Sequence, residues 1–160
     1  MSFPEVIVSD AISPDPPLSH RFGVFFFPAG PVPNPIDIRF QKVSGLSAEV
    51  TMDTINEGGR NLFSHRLPKK INYNNLVLER GLLLASPLNS ELDTTFSLFQ
   101  FAPSHVMVTL LGEFGHPLAG WLFINAYPVK WAIADFDAQA NTVLVETMEL
   151  AYTRFQLIKP

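Results

Sequence analysis

Two long apolar runs in the last third of the sequence, residues 119–127 and 142–155, constrain the fold more than any other feature. The segment between them, residues 135–141, carries the Asp and Asn side chains that favour turns. Apolar side chains occupy both alternating sets of positions in the first run, so an extended chain would bury them on both of its faces. We therefore predict two strands that are buried on much of both faces, joined by a turn that is capped by its own side chains.

Side-chain alternation within these runs predicts which residues share a face. One face of the first run carries Ala119, Trp121, Phe123 and Tyr127, with Asn125 among them, and the other carries Leu118, Leu122, Ile124 and Ala126. In the second run Glu146 falls on the same face as the apolar residues Leu144, Met148 and Leu150. Because a buried carboxylate needs a partner or water, we predict that Glu146 lies at a subunit boundary or faces a wet lumen. Arg154 and Lys130 are its candidate partners.

The length of the chain and its lack of cysteine predict one domain that folds without disulfides. Residues 1–20 contain four prolines, which exclude regular structure over residues 13–18. We predict an extended N-terminal arm over residues 1–20 and one β-domain over residues 21–160.

The middle of the chain predicts several strands and a hairpin. Strands are expected at residues 22–27, Leu76–Gly81 and 106–111. Residues 38–53 alternate apolar and polar side chains, and residues 62–67 are the predicted returning strand of a long hairpin. Residues 68–70 are predicted to form a basic corner after it.

One segment has helical periodicity. Ser86 is a favourable N-cap, and Pro87 then occupies the first helical position. The residues Leu88, Leu92, Phe96 and Phe99 form one apolar stripe on a helix that ends near residue 101. The predicted fold is therefore mainly β: a small antiparallel β-barrel or sandwich with one packed α-helix and a long protruding hairpin.

Charge and composition exclude several functions. The net charge is −4, and no basic block occurs, which argues against specific nucleic acid binding. No apolar run reaches the roughly 18 residues of a membrane span, so no stable membrane insertion is expected. The four histidines are scattered without metal-ligand spacing, and we predict no catalytic residue, no metal and no cofactor.

A series of short motifs points to a family. They are VSGLSAE at residues 43–49, EGG at 57–59, LP at 67–68, LVLERG at 76–81, Trp121 followed by NAYPVKW at 125–131, and ETMELAY at 146–152. Their order and spacing resemble the tail tube protein family of contractile phages and phage-derived contractile injection systems, which is related to the type VI secretion tube protein.

This resemblance implies a structural, non-enzymatic subunit. Family members form hexameric rings that stack into a hollow tube, which sheath contraction drives through a target envelope. The implied partners are further copies of the chain and other tube, sheath and baseplate hub proteins. The implied location is the cytoplasm of the producing bacterium, followed by a phage tail or phage-like particle that can be released.

The resemblance also implies contact residues. The hairpin tip, formed by Glu57, Gly58, Gly59, Arg60 and Asn61, is expected to reach an adjoining subunit or ring. The polar hairpin face, formed by Ser47, Glu49 and Thr51, is the predicted lumen lining.

The position of the subunit within the tube stays open between the repeating shaft and a ring next to the baseplate. Residues 82–87 and 102–105 depart from the family pattern, and the N-terminal arm is longer than a minimal tube subunit requires. An added arm could contact a non-identical neighbour, which favours the ring next to the baseplate.

A different function remains as an alternative. The carboxylates of Asp137, Glu146 and Glu149 could serve a hydrolase, or the domain could be a barrel that binds a small ligand.

Overall fold

A single bent sheet and a separate hairpin make up the structure, a computed structural model that describes residues 21–27, 37–56, 58–59 and 62–159. The strands are β1 (Phe22–Phe27), β2 (Lys42–Ser44), β3 (Ala48–Ile55), β4 (His65–Tyr73), β5 (Leu76–Gly81), β6 (Ser104–Leu111), β7 (Pro117–Ile133), β8 (Val145–Ala151) and β9 (Arg154–Ile158), and α1 is Pro87–Leu98. The main sheet has the order β1-β6-β7-β8-β5-β2, and β9 pairs with β7. Every pairing is antiparallel.

The 17-residue strand β7 joins the two halves of the sheet. Its first half pairs with β6 on one side and with β9 on the other, whereas its second half pairs with β8. The two halves meet at Asn125, whose φ of 52° lies in the left-handed region. A bulge of this kind bends a strand and lets it pass from one layer of a sandwich to the other.

The bend at Asn125 changes which side chains face the core. Phe123 is buried, as predicted, and Trp121 packs against the core. Beyond the bend Ala126 is buried, while Tyr127 is 37% exposed. The prediction that Tyr127 shares a face with Phe123 is therefore wrong, because the irregular residue between them reverses the alternation.

The predicted second run, residues 142–155, forms two strands rather than one. β8 begins only at Val145, and residues 152–153 separate it from β9. The amide of Thr153 donates to the carbonyl of Ile124, directly opposite the bend in β7. The break between β8 and β9 therefore lies beside the bend of β7, with which both strands pair. The predicted buried face of β8 is confirmed, since Glu146, Met148 and Leu150 are all buried.

The main sheet is open rather than a closed barrel. The segment before β2 lies between its two ends: the amide of Val24 donates to the carbonyl of Ile38, and the amide of Gln41 donates to the carbonyl of Glu79. The core lies inside this curved sheet and is capped by α1. A mainly β, antiparallel fold with one helix is thus confirmed for the described residues, and its layers are those of a sandwich.

The predicted strand over residues 38–53 is interrupted at Gly45. Its φ is 88°, and a Cβ atom at this position would lie 2.0 Å from the carbonyl oxygen of Asn75. The chain turns there and enters β3.

The returning strand β4 starts at His65 and continues through residues 68–70, so the predicted corner is wrong. Pro68 is tolerated in β4 because it lies at a bulge in a two-stranded sheet.

The helix begins as predicted and ends three residues early. The Ser86 hydroxyl accepts a hydrogen bond from the Asn89 amide, and Pro87 is the first helical residue. Phe99 ends the helix in the left-handed conformation. Leu88 and Leu92 are buried, but Phe99 is 82% exposed, because the buried face turns toward Asn89 and Thr95 instead.

Confirmed strand predictions include β1 and β5, which match residue for residue, and β6, which begins two residues earlier than predicted. The predicted N-terminal arm, residues 1–20, lies outside the described residues. Within the described residues, no helix has both the length and the apolar character needed to cross a membrane.

Substituting Gly45 with alanine should destabilise the subunit. The left-handed backbone costs about 1–3 kcal/mol for a residue with a Cβ atom, and the contact with the Asn75 carbonyl adds to that cost. Gly58→Ala is the matched control, since nothing lies within 4 Å of the added Cβ atom and its φ is not positive. Urea unfolding of both variants measures the difference. Equal stabilities would contradict the close approach at Gly45.

Candidate subunit-contact surfaces

Glu146 belongs to a buried ionic network centred on Arg80. These residues are cross-strand neighbours on β8 and β5, and the Arg80 Nε donates to the Glu146 Oε1 at 2.5 Å. The Arg80 Nη1 donates to the Asp37 Oδ1 at 2.6 Å. Glu146 and Asp37 are both 0% exposed. One guanidinium therefore neutralises part of the charge of two carboxylates inside the subunit.

The same network holds the N-terminus of α1. The Arg80 Nη2 donates to the Ser86 hydroxyl and to the Asn89 Oδ1. The backbone amide of Leu88 donates to the Asp37 Oδ2 at 3.0 Å. A carboxylate at a helix N-terminus is favourable, because it meets free amides and the positive end of the helix dipole.

The prediction that Glu146 contacts another subunit or a wet lumen is not supported by its position. Its second oxygen accepts a hydrogen bond from the Trp131 indole at 3.2 Å, so both carboxylate oxygens are satisfied within the chain. Arg80 is the partner, rather than Arg154 or Lys130. A sequence signal existed, since Arg80 follows the buried residues Leu76 and Leu78 at period two and must face the core with them.

The three carboxylates of the hydrolase alternative do not share one face. Glu149 lies three residues from Glu146 on β8, so the two side chains point to opposite faces of the sheet. Glu149 accepts a hydrogen bond from the Asn75 side chain. Asp137 caps the β7–β8 turn by accepting from the Gln139 amide at 2.9 Å, which confirms the predicted self-capped turn.

The β3–β4 hairpin carries an exposed apolar surface. Its strands pair only with each other among the described residues, and they extend over eight residue pairs, or roughly 26 Å. About half of the surface of each of five apolar side chains is exposed: Val50, Met52, Ile55, Leu67 and Ile71. Val50, Met52 and Ile71 share one face, whereas Ile55 and Leu67 lie toward the tip on the other face. Exposed apolar side chains grouped in this way mark a contact site.

The tip of the hairpin is only partly described. Gly58 and Gly59 form its turn, and Gly59 has a φ of 100°. A Cβ atom at either position would contact nothing within 4 Å, so this backbone is accessible from outside the subunit. The other predicted contact residues of the tip, Glu57, Arg60 and Asn61, lie outside the described residues.

The predicted lumen residues lie along the polar side of the hairpin. Ser47 precedes β3 and accepts a hydrogen bond from the Asn74 side chain. Glu49 and Thr51 lie on one face of β3, and Thr51 accepts a hydrogen bond from the Asn72 side chain. These contacts make the part of this face near the base of the hairpin polar, and it lies opposite to the face that carries Val50.

The base of the hairpin is fixed to the core by aromatic residues. The Tyr73 ring packs against those of Tyr152 and Phe155, at centroid distances of 5.8 and 5.4 Å. The Tyr152 hydroxyl donates to the carbonyl of Asn74 at 2.6 Å. Burial raises the pKa of Tyr152, and Tyr73 raises it further, so the phenol keeps its proton and its role as donor at neutral pH.

Comparison with known proteins identifies the fold. The T4-like virus tail tube protein gp19 family matches residues 18–156. A chain in the six-fold symmetrised structure of the anti-feeding prophage baseplate is 38% identical with a TM-score of 0.83, and the match covers 91% of this chain and 97% of that chain. A comparison with curated protein sequences gave no significant match.

Two further structures share the fold at lower identity. A chain of the PVC sheath–tube complex, from an extracellular contractile injection system in its extended state, is 21% identical, with a TM-score of 0.78 and coverage of 96% of this chain and 98% of that chain. A chain of the tube-terminating cap of the anti-feeding prophage is 23% identical, with a TM-score of 0.76 and coverage of 97% and 99%.

Replacing Arg80 with methionine should destabilise the subunit by about 3–5 kcal/mol, because Asp37 and Glu146 would remain buried without their cation. The matched control is Lys69→Met, which breaks an exposed ion pair with Asp53 and should cost about 1 kcal/mol or less. Urea unfolding followed by tryptophan fluorescence compares the two. A similar small loss in both variants would show that the buried network contributes little to stability.

Proposed function

The chain belongs to the tail tube protein family of T4-like viruses, and on that premise we propose that six copies form a ring in the inner tube of a contractile injection system. Rings of this kind stack into a hollow conduit, which contraction of a surrounding sheath drives through a target envelope. The role is structural and non-enzymatic. The observation that carries this proposal is the β3–β4 hairpin, whose exposed apolar side chains need a neighbouring surface.

Six-fold symmetry has a direct precedent in a relative. The 38% identical chain comes from a baseplate structure that was six-fold symmetrised. Identical subunits in such a ring contact one another through two different surfaces, one on each side of the subunit. The hairpin offers one such surface, and the outer edges of β9 and β2 offer hydrogen-bonding groups that a neighbouring sheet can pair.

We place the ring next to the baseplate. The relative from the baseplate is 38% identical, whereas the chains from the sheath–tube complex and from the cap are 21% and 23% identical. A ring at that end contacts baseplate proteins on one side and shaft tube proteins on the other, inside the sheath. The subunit would assemble in the bacterial cytoplasm and leave within the finished particle.

The hairpin also suggests how the conduit is lined. Its polar face, with Ser47, Glu49 and Thr51, would face the lumen while its apolar face covers a neighbouring subunit. A polar lining does not retain cargo through apolar contacts. The turn at Gly58 and Gly59 would reach the adjoining subunit or ring, where small residues permit close backbone approach.

Electron microscopy of the purified protein tests the ring itself. We expect six-fold rings, alone or stacked, together with a matching mass by light scattering. A strictly monomeric protein at high concentration, both alone and with a baseplate partner, would contradict the proposal.

Deleting residues 57–61 should impair assembly more than folding. Hairpin tips contribute few core contacts, so the thermal unfolding midpoint of the subunit should change little. Ring formation or stacking, counted on micrographs, should fall strongly. If the deletion instead unfolds the subunit, the hairpin has a folding role and its assignment as a contact element is wrong.

The apolar face of the hairpin can be tested without altering its backbone. Val50 and Ile71 are cross-strand partners and are both about half exposed. The double substitution V50T/I71T keeps β-branched side chains, so subunit stability should change by about 1 kcal/mol or less. Assembly should require a higher protein concentration. The control T51V, on the opposite face, should assemble as the wild-type protein does.

A further inference from the structure

A pocket of about 390 Å³ lies between α1 and the main sheet. Its floor is apolar and is formed by Phe26, Leu88, Leu92, Val106 and Leu150. An apolar cavity of roughly 150 Å³ already holds a benzene ring, so this pocket has room for an aromatic side chain. We call it the helix pocket.

The mouth of the helix pocket is aromatic and acidic. Phe101 lies at the mouth, is 43% exposed, and packs edge-to-face against Phe99 and Tyr127. Glu91 also lines the pocket, and α1 has a second acid, Asp93, but no basic residue. Burial raises the pKa of Glu91, and the charge of Asp37 raises it further.

A complementary feature lies at the other end of the same strands. The β6–β7 turn exposes Phe114 to 91%. The basic residues Arg21 and Arg39 line the shallow depression beside this turn, and the Arg21 guanidinium donates to the carbonyl of Glu113. Among the described residues that line the depression, Glu113 is the single acid. An exposed aromatic ring flanked by two cations therefore faces away from the subunit.

We propose that Phe114 of one copy binds in the helix pocket of the next copy. The ring would pack against the apolar floor and against Phe101, while Arg21 and Arg39 approach the acidic mouth at Glu91. β6 separates the two features: Ser104 lines the pocket, and Leu111 adjoins the Phe114 turn. The contact is head-to-tail, and it rests on the proposed assembly of identical copies.

Shape, rather than charge, favours Phe114 over the hairpin as occupant of the pocket. Both candidates carry cations, since β4 contains Arg66, Lys69 and Lys70. A hairpin strand presents a row of half-exposed side chains, whereas the helix pocket is a single compact depression. Occupation by the hairpin is one of the outcomes that the experiments below distinguish.

The first experiment removes the ring. F114S should raise the protein concentration needed for assembly about tenfold or more, because a buried phenyl ring is lost from the contact. The matched control is F136S, which removes a ring that is 84% exposed on the β7–β8 turn and should leave assembly unchanged. Subunit unfolding midpoints should be equal for both variants. Equal assembly of F114S and F136S would overturn the proposal.

The second experiment locates the contact and uses the absence of cysteine from the chain. Equimolar E113C and Q100C proteins, treated with a short bismaleimide, should give a cross-linked dimer, because position 113 adjoins Phe114 and Gln100 lines the pocket. The pair E113C and D137C should give none. Cross-linking between Q100C and a cysteine at the hairpin residue Met52, in place of E113C, would overturn the proposal in favour of the hairpin.

The double variant E113C/Q100C distinguishes this inference from the proposed function. A cross-linked ladder that stops at six copies supports the contact within a ring, and a longer ladder supports the contact between rings. Six-fold rings without cross-links overturn the contact and leave the proposed function intact. If neither rings nor cross-links form, both are overturned.

Discussion

The buried network around Arg80 is the interaction on which the rest of the subunit depends. It joins β5 to β8 across the sheet, fixes the segment at Asp37, and holds the first turn of α1. A buried arginine with two carboxylates is costly to desolvate, so it persists only with nearly ideal geometry. In the described residues, every buried side-chain nitrogen and oxygen has a hydrogen-bond partner. The position of the helix over the open sheet is therefore specified by directional bonds rather than by apolar packing alone.

Much of this fold follows from local sequence rules. Ser86 and Pro87 define the start of α1, and alternation along β5 and β8 assigns the buried faces, because caps and strand periodicity depend on neighbouring residues. Three features were predicted wrongly, and each depends on contacts that local sequence rules do not describe. The bend at Asn125, the break at Gly45 and the pairing of Glu146 with Arg80 depend on residues distant in the chain. Alternation predicts that Arg80 and Glu146 both face the core, but it does not predict which buried side chains contact one another.

Of the two candidate contact surfaces, the hairpin could be predicted from the sequence and the helix pocket could not. The motifs place a protruding hairpin with a glycine tip, and the structure has that hairpin. The alternation of apolar and polar side chains predicts that the hairpin has an apolar face. Alternation alone does not distinguish a face that packs in the core of the subunit from one that contacts another subunit. The helix pocket could not be predicted, because its lining combines residues of α1, β1, β6, β7 and β8 that are distant in the sequence.

The distribution of apolar side chains explains the high apolar content of the chain. The core uses Phe123, Leu76 and Met148, while exposed side chains such as Phe114 and Val50 lie on projections, the β6–β7 turn and the hairpin. Open strand edges can pair in more than one register, so edge pairing alone does not determine the position of the neighbouring subunit. A projection that enters a shaped pocket permits one arrangement only. In a ring built from identical copies, such projections can determine the register in which the edges then pair.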